Sequence, residues 1–383
     1  MSKIIYLDNN ATTQVDKRVE KVTRVWQTNF YANPSSLHFF GQKIFEAITL
    51  SRKKIAEVIN SKPDEVFFTA SGSEGNNLCI KGYCEANKDK GKHIITSSIE
   101  HPSVINTCKH LEEQGFEVTY LPVDSRGFIL AEDLNKAIRP NTILVSIMHA
   151  NNEIGTIQDI VSFVKICNQH NIPLHTDAVQ SFLKLSVDVE KLGIAMATFS
   201  GHKIHAPKGI GFIFKRKDIK VKRQIDGGGQ EFGFRAGTEN TPYIIGLNEA
   251  IQIFSQKDVR NMKNLQDYFI KELMKINSIH LNGPEDLTKR ICNNINFSVA
   301  NMEGEYLLNQ LSRRKICIST GSACSSKSTK ISPVLKAINC PTEYIHGNLR
   351  ASLSKFTTKR EIVIFLKELK NILKQNINSL KEI

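Results

Sequence analysis

The sequence predicts an α/β protein: a mainly parallel, seven-stranded sheet sandwiched by helices, with a smaller α+β domain after it. Three observations carry this reading. Short apolar runs alternate with longer amphipathic ones between about residues 64 and 248. The apolar runs are continuous rather than alternating, as strands covered on both faces must be. The chemically unusual polar residues fall just after those runs, where doubly wound sheets hold their ligands.

The strands follow in order. Val66-Phe67-Phe68-Thr69 is the first, with a helix after Ser73. His93-Ile94-Ile95-Thr96 is the second, followed by a helical run over 103–114. Residues 116–121 form the third, before a helix over 131–138. The run TILVSIM, 142–148, is apolar on both faces and is the fourth, before a helix over 159–170. Residues 173–176, 195–199 and 211–215 complete the seven. Beyond about Asn248 the texture changes. Charged amphipathic helices over 257–275 and from Thr358 onward flank short strands at 294–297 and 315–318. The expected division is a large domain, 14–255, and a small one built from 1–13 and 256–383. Gly227-Gly228-Gly229 reads as a flexible turn beside the site.

Composition narrows the function. The chain has 383 residues, 40% of them apolar, which excludes a largely disordered polypeptide. The start reaches Asp8 without the apolar run of a secretory signal. No stretch approaches the roughly 18 apolar residues of a membrane span. Eight Cys with no CxxC pair exclude a zinc knuckle or thioredoxin-type motif, and no resident metal is expected. Scattered thiols without an export signal point to a reducing cytoplasm. The net charge of +13 raises nucleic acid as a partner. No RNA-binding motif or aromatic-interleaved basic patch supports it, so nucleic acid is not expected.

The strand ends carry the chemistry. Thr69-Ala70-Ser71-Gly72-Ser73-Glu74-Gly75-Asn76-Asn77 enters a helix with free backbone N–H groups and hydroxyls, which suits a phosphate. Alone, this loop reads sooner as an N-cap in a tight turn. Glu100-His101-Pro102 follows the second strand, and a lone His there is ordinarily a turn residue. His149-Ala150-Asn151-Asn152-Glu153-Ile154-Gly155 puts two amides and an acid where burial demands partners. Asp177 ends a buried strand and needs a cation or N–H groups, or serves as a cap. Lys203, flanked by Ser200 and His202, could be a desolvated amine able to condense with an aldehyde. Together these supply a phosphate cradle, a carboxylate for a pyridinium nitrogen, an aromatic to cover a ring and an amine for an aldehyde. Pyridoxal 5'-phosphate requires that set.

With these motifs in this order the chain resembles the cysteine desulfurases of the NifS/IscS type, in the class-V aminotransferase family of fold-type I pyridoxal-phosphate enzymes. The resemblance runs from Tyr6-Leu7-Asp8-Asn9-Asn10-Ala11-Thr12-Thr13 to Phe356-Thr357-Thr358. It also includes Asn33-Pro34-Ser35-Ser36-Leu37-His38, Gly227-Gly228-Gly229-Gln230-Glu231, Arg235-Ala236-Gly237-Thr238-Glu239-Asn240 and Thr320-Gly321-Ser322-Ala323-Cys324. The first and the two glycine-rich segments are closer to the NifS branch.

Carried over by position, the resemblance implies these roles. Lys203 would hold the cofactor and move protons. Asp177 would pair with the ring nitrogen, and His101 would stack on the ring and act in acid–base steps. Gln180 and Asn152 would bond the phenolic oxygen or substrate. Gly72, Ser73, Ser200 and His202 would hold the phosphate, with Thr238 reaching the site of a neighbouring subunit in a homodimer. Arg350, assisted by Asn33, would clamp the carboxylate of L-cysteine. Cys324 lies among small polar residues after an apolar run, so a mobile loop over about 319–332 is expected. As a thiolate it would take the sulfur as a persulfide, leaving L-alanine. It would pass the sulfur to a NifU- or IscU-like iron–sulfur scaffold, where it could transiently ligate a cluster. Cys317 fits a core position better, and Cys79, Cys84, Cys108 and Cys167 read as packing residues.

A selenocysteine lyase or aminotransferase is the alternative within the superfamily, separated by product analysis. Departures from the pattern are Gly75 where Ser is common, Ala206 where Gly is common, and Ser354-Lys355 where Gly-Arg is common. The basic segment 208–223 reads as a surface that could steer the donor toward an acidic acceptor. On that reading, neutralising Lys215, Arg216 and Lys217 slows sulfur transfer without slowing alanine formation.

Overall fold

A computed structural model describes residues 4–321 and 331–381. Strand β1 (Ile5–Tyr6) precedes two long helices, α1 (Lys17–Asn29) and α2 (Phe39–Ile59). The Asp16 carboxylate caps α1 by accepting from Arg18 N, and α2 stops at Asn60 in the left-handed region. The large sheet then alternates with helices: β2 (Val66–Thr69), α3 (Gly72–Asn87), β3 (His93–Ser97), α4 (Pro102–Glu113), β4 (Glu117–Leu121), α5 (Ala131–Ala137) and β5 (Thr142–Ser146). It continues through α6 (Ile160–Gln169), β6 (Leu174–Asp177), the short α7 (Val189–Leu192), β7 (Met196–Ser200) and β8 (Gly211–Lys215). A loop leads to α8 (Thr241–Ile253).

The sheet has seven strands in the order β2-β8-β7-β6-β5-β3-β4. Only β8 runs antiparallel to its neighbours, β2 and β7; the pairings among β3 to β7 are parallel. Every residue of β2, β3, β5, β6 and β7 is buried, which explains the continuous apolar runs. One apolar core joins α2, α6, α8 and one sheet face, and a second packs α3 and α4 on the sheet.

The chain continues as α9 (Gln256–Leu273), β9 (Ile279–Leu281), β10 (Asn294–Val299), α10 (Gly304–Arg313), β11 (Ile316–Cys317), α11 (Pro333–Ala337), α12 (Thr342–Ile345), β12 (Asn348–Ser352) and α13 (Lys359–Lys381). Strands β12, β10 and β9 form an antiparallel sheet, and β1 pairs with β11. Ile5 and Leu7 therefore share a core with residues between 262 and 373. A small apolar cluster bridges the two bodies: Ile99, Met148 and Ile154 meet Val334, Leu335 and Ile338. Arg290, fully buried, binds the same junction by donating to the carbonyls of Ile154, Asn282 and Pro284.

Cys79, Cys84, Cys108 and Cys167 are buried, and Cys317 is half-buried. No helix among the described residues is long and apolar enough to cross a membrane. The basic segment is largely ion-paired within the chain. Arg216 meets Asp218, Lys217 meets Asp64, Lys222 meets Glu85 and Arg223 meets Asp226. Lys215 turns inward over Phe67 and Phe234 and donates to the Ile219 carbonyl. That pairing reduces the positive field the segment can project.

Candidate active site

The carboxyl ends of β2, β3, β5, β6 and β7 put Thr69, Ser97, Ser146, Asp177 and Ser200 on one edge of the sheet. Ser71 caps α3 by accepting from Glu74 N at 3.1 Å. The Gly72 and Ser73 N–H groups lie in the first turn, where a helix has no acceptor for them. This N-terminus abuts β7: a Cβ on Gly72 would stand 2.8 Å from Val179 Cγ2 and 3.5 Å from the Ser200 Cβ. Ser200 Oγ is buried without a hydrogen-bond partner among the described residues.

Asp177 is buried and accepts from Val179 N at 2.9 Å and from Asn76 Nδ2 at 2.8 Å. The same Asn76 amide donates to Ser103 Oγ at 2.8 Å. Ser103 Oγ stands 2.8 Å from His101 Nδ1, which also accepts from Ser103 N. With Nδ1 accepting, the imidazole proton sits on Nε2. Burial lowers the His101 pKa; the Asp177 charge opposes the shift and Lys203 reinforces it. A neutral ring with a free Nε2–H is the result.

Lys203 ends a short 3₁₀ turn, Gly201–Lys203, after β7. Its Nζ donates to the carbonyls of Asn10 at 2.5 Å and Ala11 at 2.7 Å. Gln180 Nε2 shares the Asn10 carbonyl at 3.1 Å, while Gln180 Oε1 is buried without a hydrogen-bond partner among the described residues. His202 bonds Thr12 Oγ1 through Nδ1 at 3.1 Å. Burial, with Lys203, Lys208 and Lys184 nearby, pushes its pKa down to about 3. His202 is therefore neutral and can donate only from one nitrogen.

Arg350, on β12, is buried. One Nη reaches Asp8 Oδ1 and the other the Asn152 carbonyl, each at 3.1 Å; its Nε has no hydrogen-bond partner among the described residues. Asn10 Nδ2 donates to the same Asn152 carbonyl. Asn33 is exposed and its side-chain Oδ1 accepts from Ser35 N, so the side chain serves a local turn. Thr238 is exposed on the loop before α8. That loop is fixed by two ion pairs: Glu231 with Arg52 at 2.7 Å, both buried, and Arg235 with Glu74 at 2.8 Å. Cys324 and most of the 319–332 segment lie outside the described residues.

The site thus brings together Lys203, Asp177, His101, Gln180, Asn152, Gly72, Ser73, Ser200, His202 and Arg350. The orphaned Ser200 hydroxyl, beside an open helix N-terminus, fits a polar ligand that carries a dianionic group. Residues 5–365 match the aminotransferase class-V family. The chain belongs to that family. Among class-V relatives, a cysteine desulfurase IscS of Dictyoglomus turgidum is 46% identical over 379 residues, covering 98% of this chain and 96% of its own. The cysteine desulfurase IscS of Methanosarcina thermophila is 46% identical over 364 residues, covering 94% and 90%. A solved NifS-like protein superposes with a TM-score of 0.91 at 37% identity, covering 97% of this chain and all of that one. SspA in complex with cysteine superposes at 0.82 with 38% identity, covering 92% and 99%. The class-V assignment agrees with the expected fold.

The sequence reading did not assign roles to Asn76, Ser103, Asn10 or Asp8. Asn76, Asn10 and Asp8 act through partners distant in sequence, whereas Ser103 bonds His101 only two residues away. The one local signal was Asn76 itself, an amide on the buried face of α3 at the site end.

Proposed function

We propose that this class-V enzyme is a cysteine desulfurase that converts L-cysteine to L-alanine and keeps the sulfur as a persulfide on Cys324. The observation that carries it is the set at the sheet edge: Lys203, Asp177, His101, Gln180 and the orphaned Ser200 hydroxyl beside the α3 N-terminus. These residues fit pyridoxal 5'-phosphate. Gly72, Ser73, Ser200 and His202 would hold its phosphate, Asp177 its ring nitrogen, Gln180 its phenolic oxygen and Lys203 its aldehyde. When bound, the cofactor supplies an electron sink that weakens the bonds at the substrate Cα and Cβ.

The chain's own groups do the rest. Arg350 orients the substrate carboxylate with a planar donor fork, helped by Asn152. Lys203 Nζ takes and returns the Cα proton. His101, neutral with its proton on Nε2, would cover the ring of the bound cofactor and can donate that proton. The Cys324 thiolate attacks the substrate sulfur. The Cβ–S bond breaks, its electron pair stays on carbon, and that carbon takes a proton. Alanine leaves and Cys324 holds S–SH.

A homodimer would cover exposed apolar residues: Leu37 is 90% exposed, Phe39 83% and Phe232 68%. It also gives Thr238 a role at the neighbouring subunit's phosphate. The sulfur acceptor is an iron–sulfur scaffold of the NifU or IscU kind, and the setting is the cytoplasm.

The test uses two variants. Lys203→Ala should lose the visible absorbance of the bound cofactor. Cys324→Ser should keep the absorbance and lose sulfide release from cysteine. Full sulfide production by Cys324→Ser would overturn the persulfide route.

A further inference from the structure

Glu153 is a buried acid that the steps above do not use. Burial raises its pKa to about 7, against the Ser332 hydrogen bond and the Arg350 charge. An acid in such a place is costly unless it holds something. Its contacts converge on the two ends of one segment. Ser332 Oγ donates to Glu153 Oε2 at 2.6 Å. The direction is fixed because the same oxygen accepts from both Val334 N and Leu335 N at the start of α11, which fills its lone pairs and leaves its proton for Glu153. Gly321, at the other end, is packed so closely that a Cβ there would lie 2.6 Å from Glu153 Oε2 and from Asn348 Oδ1. Gly321 N donates to Asn348 Oδ1 at 2.8 Å.

The arrangement closes on itself. Asn348 Nδ2 donates to Asn296 Oδ1 at 2.6 Å, and Asn296 Nδ2 donates to the Glu153 carbonyl at 3.1 Å. Asn294 Nδ2 donates to that carbonyl at 2.8 Å. Below, Ile154 packs against Val334 and Leu335 of α11 and Ile338 just beyond it. Arg350 joins the same place: its backbone pairs with Ser319, two residues before Gly321, while its side chain reaches the carbonyl of Asn152, next to Glu153. Residues 321 and 332 enclose the stretch that contains Cys324.

We propose that Glu153 is a positioning residue for sulfur transfer: with Ser332, Asn348 and Gly321 it clasps both roots of the Cys324-bearing segment against the Arg350 end of the site. The clasp sets where the segment starts and ends relative to bound cysteine, and so governs attack by Cys324 without touching substrate. This rests on the desulfurase reading.

The experiment compares Glu153→Ala, Glu153→Gln and Ser332→Thr holoenzymes with the wild type. One readout is single-turnover formation of labelled persulfide from L-cysteine. The other is alanine formation from L-cysteine sulfinate, whose sulfur departs as sulfur dioxide without a thiol acceptor. Glu153→Ala should lose persulfide formation by about 10- to 100-fold, as a displacement of roughly 1 Å does. Its KM for cysteine and its sulfinate reaction should stay within about twofold of the wild type. Glu153→Gln can still accept from Ser332, and Ser332→Thr keeps the hydroxyl, so both should retain transfer. Normal persulfide formation in Glu153→Ala overturns the clasp. So does equal loss of both reactions, or a Gln variant as poor as the Ala variant. Absence of persulfide in the wild type would instead overturn the desulfurase reading.

Discussion

Asn76 shows how a single side chain can organise a cofactor site without belonging to any recognised list of ligands. Its two amide hydrogens go to Asp177 Oδ2 and Ser103 Oγ, so Asp177 and, through Ser103, His101 share one brace. A hydrogen bond to a charged group is worth about 1.5–3 kcal/mol. Asn76→Ala should therefore cost about 10- to 100-fold in kcat/KM for L-cysteine and speed cofactor loss on dialysis. Wild-type kcat/KM and cofactor retention in that variant would show that Asp177 and His101 hold their places alone. The contrast with legible residues is instructive. Asp177, Ser200 and Lys203 follow apolar runs, and position after such a run marks a ligand-facing residue in this fold class. The Asn76–Asp177 contact spans 101 residues of sequence, and no pattern in one sequence encodes such a pairing.

At the scale of elements, buried strands were readable because covering both faces forces continuous apolar residues. Their direction was not. Gly211–Lys215 reads GFIFK, as apolar as its neighbours, yet β8 runs opposite to both. Direction is set by ladder geometry, which leaves no mark on side chains. Helix α8 escaped notice because it is buried on most sides and lacks an amphipathic period, and β1 because it is two residues long. Helix α3 explains a departure from the desulfurase pattern. A Cβ on Gly75 would meet Thr198 Cγ2 at 2.7 Å and Ile213 Cγ2 at 2.9 Å, both on stiff β-branched side chains. Thr198 is further held by His175 at 3.0 Å. Introducing the commoner residue, Gly75→Ser, should thus destabilise the protein by about 1–3 kcal/mol, the usual cost of overpacking. A urea midpoint equal to that of the wild type would mean that α3 can slide outward freely.

Across the whole molecule, buried titratable groups set opposing limbs of a stability profile. Burial lowers His149 and His205 to about 4, and His175 and His202 to about 3. Folding therefore keeps four imidazoles neutral, and the stability tied to them is full above pH ~6.5. It is lost as pH falls toward those lowered values, because the unfolded chain takes the protons first. Glu100 and Glu153 act the other way: burial raises them to about 8 and about 7. Their contribution is full below about pH 4.3 and is lost as pH rises from there to the raised values, because the unfolded chain releases its protons first. His175 isolates the acid limb, since both its nitrogens are bonded, to Ser146 Oγ at 2.9 Å and Thr198 Oγ1 at 3.0 Å. Between about pH 5.5 and 4 it should steepen the pH dependence of unfolding by nearly one proton, about 1.4 kcal/mol per pH unit. His175→Gln keeps a polar group in that chain and cannot titrate. Urea unfolding of the variant should give a correspondingly shallower slope over that window, whatever its stability at neutral pH. Identical slopes in the two proteins would mean that His175 takes up its proton in the folded state as readily as in the unfolded one.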